Sequence, residues 1–390
     1  MMSVDRLIVL LVAVSLTASC NFSDENFSQY PGFKDYFVAN PPSSDRPGAE
    51  DRLLLARFRP RFWLPAPSPD PIDFYRDYIA QGYLLDDTGQ IIANHVTREL
   101  LNRHKHEPLT VFVHESEQLL PHPTVYGRIE REVLPFQLDD GTSVRNTFTF
   151  LTYNVVFRQS GLSADLPRWQ AVLLGLVGDL DDWHQLDHYT SVTLVLDQDD
   201  VPVAIVVQQH NYQHTYLFGE AIELPKDRRV NIDVAIRSNE LYPHVAGRKV
   251  RRAVQFATRK GMRFLLGAGS RPIVSADDIT ESVREVEYKL EFLPPDDAFY
   301  TFEGFLGERR LLPGRDGPPG AAYNTLPILK PWSVQTFVGY WREGNRGDWQ
   351  RYEESTKGSS DMRRFAEKQA QIFYHNWQCL LVNRVGCEII

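Results

Sequence analysis

Residues Tyr189–Leu196 and Val201–Gln208 read YTSVTLVL and VPVAIVVQ, two apolar, β-branched runs separated only by Asp197-Gln198-Asp199-Asp200. Val, Ile and Thr lose side-chain freedom in a helix and pack well on a pleated surface, so two such runs across a short polar loop specify an antiparallel hairpin. Other segments repeat the signal. Thr147–Phe157 (TFTFLTYNVVF) reads as a buried strand, Val230–Ile236 (VNIDVAI) and Thr110–His114 as shorter ones, and Leu53–Leu64, interrupted by Pro60, as an edge strand. Helical spacing is confined to three places: Ile91–His104 through Ile92, Val96 and Leu100; Ala246–Lys260 through Val250, Val254 and Ala257; and a terminal helix over Asp361–Val382. With 25 prolines, 24 glycines and 12% aromatics, the 390-residue chain is expected to be mainly β with helical additions, joined by long loops.

The amino terminus gives an address. Leu7–Leu16 is apolar except for Ser15 and follows a leader carrying Arg6, which is too short to span a bilayer and reads as a secretion signal. Thr17-Ala18-Ser19-Cys20 resembles the lipobox of bacterial lipoproteins, in which the cysteine becomes the lipidated first residue. Acyl chains contribute about 0.8 kcal/mol per buried methylene, so two or three of them anchor a protein durably. Asn21 after the cysteine, in place of Asp, points to the outer membrane, the alternative being a secreted protein whose Cys20 is incidental. The expected layout is a signal peptide over 1–19, a lipidated start and tether over 20–50, a β-rich domain over 51–340 and a helical extension over 341–390. With Cys20 lipidated, Cys379 and Cys387 remain, either as a disulfide in an oxidising compartment or as two buried thiols.

Charge narrows the partners. A net charge of −9 supplies no basic excess for replacing the counterions of a nucleic acid. Locally the sign reverses: Arg248, Lys249, Arg251, Arg252, Arg259, Lys260 and Arg263 fall within 248–263 without an acid, which marks either an anionic-lipid contact or a solvated helix face.

Chemistry concentrates beside the hairpin. Asp181, Asp182, His184, Asp187, His188, His210 and His214 lie close together in sequence, and His184-x3-His188 with His210-x3-His214 presents imidazoles at spacings that share a face. With Asp187 they form a candidate divalent-metal set, although Glu does not follow the first His as it does in the zinc-protease signature. By the period of two, His188 is expected at the end of a core-facing row with Thr190, Val192, Leu194 and Leu196. No G-x-S-x-G elbow or phosphate-binding glycine loop occurs, and Glu115 with Glu117 or Asp181 with Asp182 is a weak match to a glycosidase pair.

Several of these segments, in order, resemble the vacuolar protein sorting protein sixty-two family: Phe58-Arg59-Pro60-Arg61-Phe62, Phe150–Phe157, Asp187–Leu196, Pro202–His210, Ala235–Tyr242, and Gly317-Pro318-Pro319-Gly320 with Trp332. The resemblance implies a β-sandwich-like fold with long loops. It departs at the family's Asp-Trp-Glu-His signature, which here is His188-Tyr189-Thr190-Ser191, and at its Ser-His segment, where Asn239 stands; His210 matches. No catalytic residue is therefore assigned. The sequence reads as a lipid-anchored envelope protein acting as a non-catalytic binding or structural module, with a metal-dependent hydrolase built on His184, Asp187, His188, His210 and His214 as the alternative.

Overall fold

In the computed structural model, Ser191–Leu196 is buried at every position. The reason is that its sheet has cover on both faces, so the row of Val192, Leu194 and Leu196 and the row of Ser191, Thr193 and Val195 both lie inside. The structure describes residues 46–86, 88–107, 109–112, 120–137, 143–159, 161, 169, 186–188, 190–209, 212–218, 222–244, 250–256, 273–279, 283–302 and 304–307. The early strands are β1 (Arg61–Pro65), β2 (Tyr83–Leu85), β3 (Ile91–Ala93), β4 (Thr110–Phe112), β5 (Thr124–Gln137) and β6 (Ser143–Val155). The hairpin strands β7 (Ser191–Leu196) and β8 (Pro202–Gln209) follow, then β9 (Tyr212–Leu217), β10 (Asn231–Val234), β11 (Leu241–Pro243) and β12 (Val250–Phe256). Last come β13 (Ile273–Ile279), β14 (Val283–Glu285), β15 (Lys289–Phe292) and β16 (Phe305–Leu306); the α-helices are α1 (Ala49–Arg57), α2 (Arg98–Arg103) and α3 (Ala298–Thr301).

A six-stranded sheet ordered β15-β5-β6-β7-β8-β9 is the middle layer, and a four-stranded sheet ordered β11-β10-β1-β14 packs on one face of it. Between them lies a core of Phe62, Leu64, Leu151, Tyr153, Leu194 and Ile232 with their neighbours, and α1 contributes Leu55 and Phe58. Tyr153 ties that helix down by donating its hydroxyl hydrogen to the Leu55 carbonyl at 2.8 Å. A second core holds Tyr126 of β5 against Phe74, Tyr78, Leu101, Phe299 and Tyr300, and the small β16-β4-β2-β3 sheet adds Val111 and Leu84. The fold is thus mainly β and sandwich-like, as expected.

The hairpin is confirmed, and its loop is held by a local device. The Asp197 carboxylate accepts from the Asp199 and Val201 amides, both at 2.9 Å, while Asp200 takes the left-handed conformation at φ 56°. An Asp side chain that mimics a backbone turn suits this position. Thr147–Phe157 is β6 and its end, and Val230–Ile236 contains β10.

Three expectations are corrected. Leu53–Leu64 is not an edge strand: the helix α1 runs to Arg57, and β1 begins after Pro60 and is paired on both sides, with β10 in parallel and β14 antiparallel. Acidic Glu50 and Asp51 in its first turn and Arg57 in its last match the helix dipole, a signal that the apolar count hid. Ile91–His104 is a strand followed by a helix, because Thr97 accepts from the Leu100 amide at 3.1 Å and so caps α2 where a longer helix would have continued. Ala246–Lys260 contains the strand β12, paired with β13. Positions four apart share a face in a strand as well as in a helix, so the Val250 and Val254 spacing fits both, and β-branching favours the strand. The terminal segment 361–382, with Cys379 and Cys387, the amino-terminal 1–45 with Cys20, and the Gly317–Trp332 region lie outside the described residues.

Leu194 is fully buried in the core between the two large sheets. Leu194→Ala is expected to cost about 2–5 kcal/mol through lost transfer energy and an uncollapsed cavity, read as a lowered urea midpoint at unchanged slope.

Candidate functional site

The corner beside the hairpin is a packed structural junction. Asn154 pairs with Ser191 but Phe157 pairs with Asp187, so three steps along one chain face four along the other. One extra residue reverses the alternation of faces. His188 consequently leaves the row of Val192, Leu194 and Leu196, a correction to the expected placement. It sits fully buried between Phe74, at 6.2 Å between ring centroids, and Phe299, at 6.3 Å, in the second core.

Asp187 points elsewhere. It accepts from Thr190 Oγ1 at 2.7 Å and from Asn239 Nδ2 at 3.0 Å, and Asn239 reaches it from a left-handed residue at φ 59° while also donating to the Gln159 carbonyl at 2.8 Å. His214 stands on β9, paired with Val207 of β8, and His188 packs in the second core. His184 and His210 lie outside the described residues, and among the described residues no group of three or more His, Cys, Asp or Glu is arranged to hold a metal ion. Arg251 and Arg252 occupy adjacent positions of β12, in register with Asp278 and Asp277 of β13; Arg248 and Lys249 are outside the described residues.

A different pair of residues meets the requirements of a site. On the far side of the second core, a cleft of about 880 Å³ is walled by the turn around Asp73–Arg76, the start of α2, the approach to β5, and β15. The turn is locked from within. Asp73 Oδ1 accepts from the Tyr75 and Arg76 amides at 3.0 and 2.9 Å, and the Asp77 carboxylate reaches back to the Asp73 amide at 3.0 Å. Asp77 is buried and holds His122 twice, through the backbone amide at 2.7 Å and the ring Nδ1 at 2.8 Å. His122 lines the cleft with its side chain 44% exposed.

An ionised carboxylate only accepts, so in the neutral imidazole Nδ1 carries the hydrogen and Nε2, on the ring edge away from Asp77, is an acceptor. The arrangement is an imidazole of fixed tautomer and orientation on a cavity wall. It can accept a hydrogen from a bound hydroxyl. Tyr75 and Arg98, which also line the cleft, are equally fixed: Asp297 takes two hydrogen bonds from Arg98, at 2.9 and 2.7 Å, and one from the Tyr75 hydroxyl, and the Arg98 guanidinium lies 5.3 Å over the Tyr75 ring. Burial, with Asp297 beside it, holds the Tyr75 phenol well above its ordinary pKa, so it stays a donor.

A second imidazole–carboxylate pair lies on the β11-β10-β1-β14 sheet. His244 Nδ1 is 2.5 Å from the buried Asp233 carboxylate and stacks on Trp63, with ring centroids 5.0 Å apart. Neither pair was found from the sequence. Asp77 and His122 are 45 residues apart and leave no local spacing. The signal within reach was the Asp73-x3-Asp77 repeat bracketing aromatic residues, a self-capping turn.

No protein-family model matches the chain. No curated protein matches it either. Among solved structures it is similar to a mutant of NLPPya, with a TM-score of 0.27 and 13% identity over 52% of this chain and 71% of that one. It is likewise similar to NLPPya in complex with glucosamine, with a TM-score of 0.26 and 12% identity over 52% of this chain and 71% of that one.

Burial lowers the His188 pKa to about 4, against a smaller opposing pull from Asp187. The unfolded chain, at about 6.5, binds the proton more readily, so this residue's contribution is intact above pH 6.5 and is lost as pH falls toward 4. Between pH 7 and pH 4 the protein is expected to lose about 3 kcal/mol more stability than a His188→Leu variant, measured by urea unfolding across that range.

Proposed function

We propose that this chain is a lipid-anchored protein of the bacterial cell envelope whose strand-built body binds a small polar molecule in the cleft and performs no reaction on it. The Thr17-Ala18-Ser19-Cys20 segment supports the anchor and the outer-membrane address. The observation that carries the binding reading is the double hold of Asp77 on His122, which fixes an acceptor on the wall before any ligand arrives. Pre-paid orientation of this kind contributes affinity, because less freedom is lost on binding.

Binding is favoured over catalysis by how the neighbouring groups are spent. Thr124, the hydroxyl beside the pair, is within donating distance of Asp73 Oδ2 at 3.1 Å and of the His122 carbonyl at 3.0 Å, so its hydrogen is directed away from the imidazole. A nucleophile would need that hydrogen bonded to the base.

Two measurements test the proposal. Fatty-acid labelling is expected to mark the wild-type protein and to fail with Cys20→Ala. Carbon-13 histidine spectra of the purified protein are expected to show the His122 signal moving as small polyols are added without turnover, with affinity about tenfold weaker in Asp77→Asn. Product formation from the bound molecule, or stoichiometric zinc that disappears when His188 and His210 are replaced, would overturn it.

A further inference from the structure

The groups on the cleft wall are unequally committed. Both Asp73 carboxylate oxygens are occupied, Oδ1 by two backbone amides and Oδ2 by Thr124. Glu291 is paired with Lys289, and Arg98 is held by Asp297. Arg76 is exposed on the same wall and has no ion-pair partner among the described residues. Its backbone is fixed by the Asp73 cap, so the guanidinium projects from a rigid base. Lys289, also on the wall, is engaged by Glu291, whose hydrogen bond holds its pKa above the ordinary value. Glu287, exposed, is the remaining acid on the wall.

A cleft with a fixed hydroxyl acceptor in His122 Nε2 and, in Arg76, a planar fork without an ion-pair partner among the described residues asks for a molecule with two features. One is a hydroxyl; the other is a carboxylate or phosphate that the guanidinium can grip with two parallel hydrogen bonds. Resting on the reading of the cleft as a binding site, we propose that its ligand is a hydroxylated oxyanion, with Arg76 as the anion-binding residue and His122 as the acceptor for the neighbouring hydroxyl. Arg76 then sets the preference for charged over neutral polyols, and Asp77 acts as a positioning residue behind His122.

The test uses full-length Cys20→Ala protein, so that lipid does not mask binding, with His122 signals and calorimetry as readouts. Glycerol 3-phosphate and glycerate are each expected to bind about tenfold or more tightly than glycerol. Arg76→Gln, an exposed substitution that leaves the packed turn intact, is expected to bring both to the glycerol level and leave glycerol unchanged. Glu287→Gln is expected to tighten the two anions about twofold to threefold. Equal binding of glycerol and the two anions, or anion binding indifferent to Arg76→Gln, overturns the oxyanion assignment while the cleft remains a polyol site. Failure of every probe to move His122 removes the cleft reading itself. Phosphatidylglycerol vesicles give the final arm: Arg76-dependent sedimentation supports the assignment with a lipid headgroup as the source, and Arg76-dependent binding of the soluble probes alone supports it with a free solute.

Discussion

A sheet covered on both faces is the constraint from which the rest of this structure follows. The middle layer has to be apolar toward the smaller sheet and must satisfy every polar group it carries toward the other side. Val192, Leu194 and Leu196 meet the first demand, together with Leu151, Tyr153 and Ile205. On the reverse face Thr152 and Thr193, cross-strand neighbours, bond to each other at 2.9 Å, and Tyr300 donates to Asn154 at 3.3 Å. Arg128 is buried there against Glu130 at 2.8 Å, with its guanidinium 5.3 Å over the Tyr300 ring. A buried ion pair of this kind is a poor source of net stability but is costly to break, and so it fixes how the reverse face is covered.

The cleft is built on that cover. Phe74 and Tyr78 anchor the turn that carries Asp73 and Asp77 by inserting into the second core, and Phe74 donates its amide to the Tyr126 hydroxyl at 3.0 Å. Phe299 packs against Phe74, Tyr126 and Tyr300, so α3 and its capping residue Asp297 are set by the same aromatic cluster. Site geometry and core packing are therefore one system: His122 is aimed by Asp77, Asp77 by the turn, and the turn by rings buried behind it.

How much of this was legible in the sequence depended on distance along the chain. The β7–β8 hairpin, β6 and β10 were readable because alternation and β-branching are local. The Val250–Phe256 strand was misread because i,i+4 spacing does not separate the two periods, and its partner β13 lies more than twenty residues on, beyond the reach of any local pattern. His188 was expected in the right kind of environment and in the wrong core, since one added residue at the Phe157–Asp187 bridge is invisible without the pairing partner. The resemblance to a known family marked His188–Ser191 and Asn239 only as departures from its pattern, and it does not predict the Asn239–Asp187 hydrogen bond found here. It gave no hint of Asp77 and His122, whose meeting depends on how a turn docks against a core.

The β1 strand has a consequence for how the molecule comes into being. It is the first strand among the described residues, yet its neighbours are β10 and β14; the Trp63 indole donates to an asparagine 168 positions later. Contacts of such range are slow to close, because the intervening chain must be gathered before any pairing reward is received. Synthesised amino end first, β1 stays unpaired until the chain has reached β10, and its second partner arrives only with β14. Closure of the sheet that holds β1 is therefore a late step, open to the chain only after the β6–β9 hairpins, whose partners are neighbours in sequence, have had the chance to form.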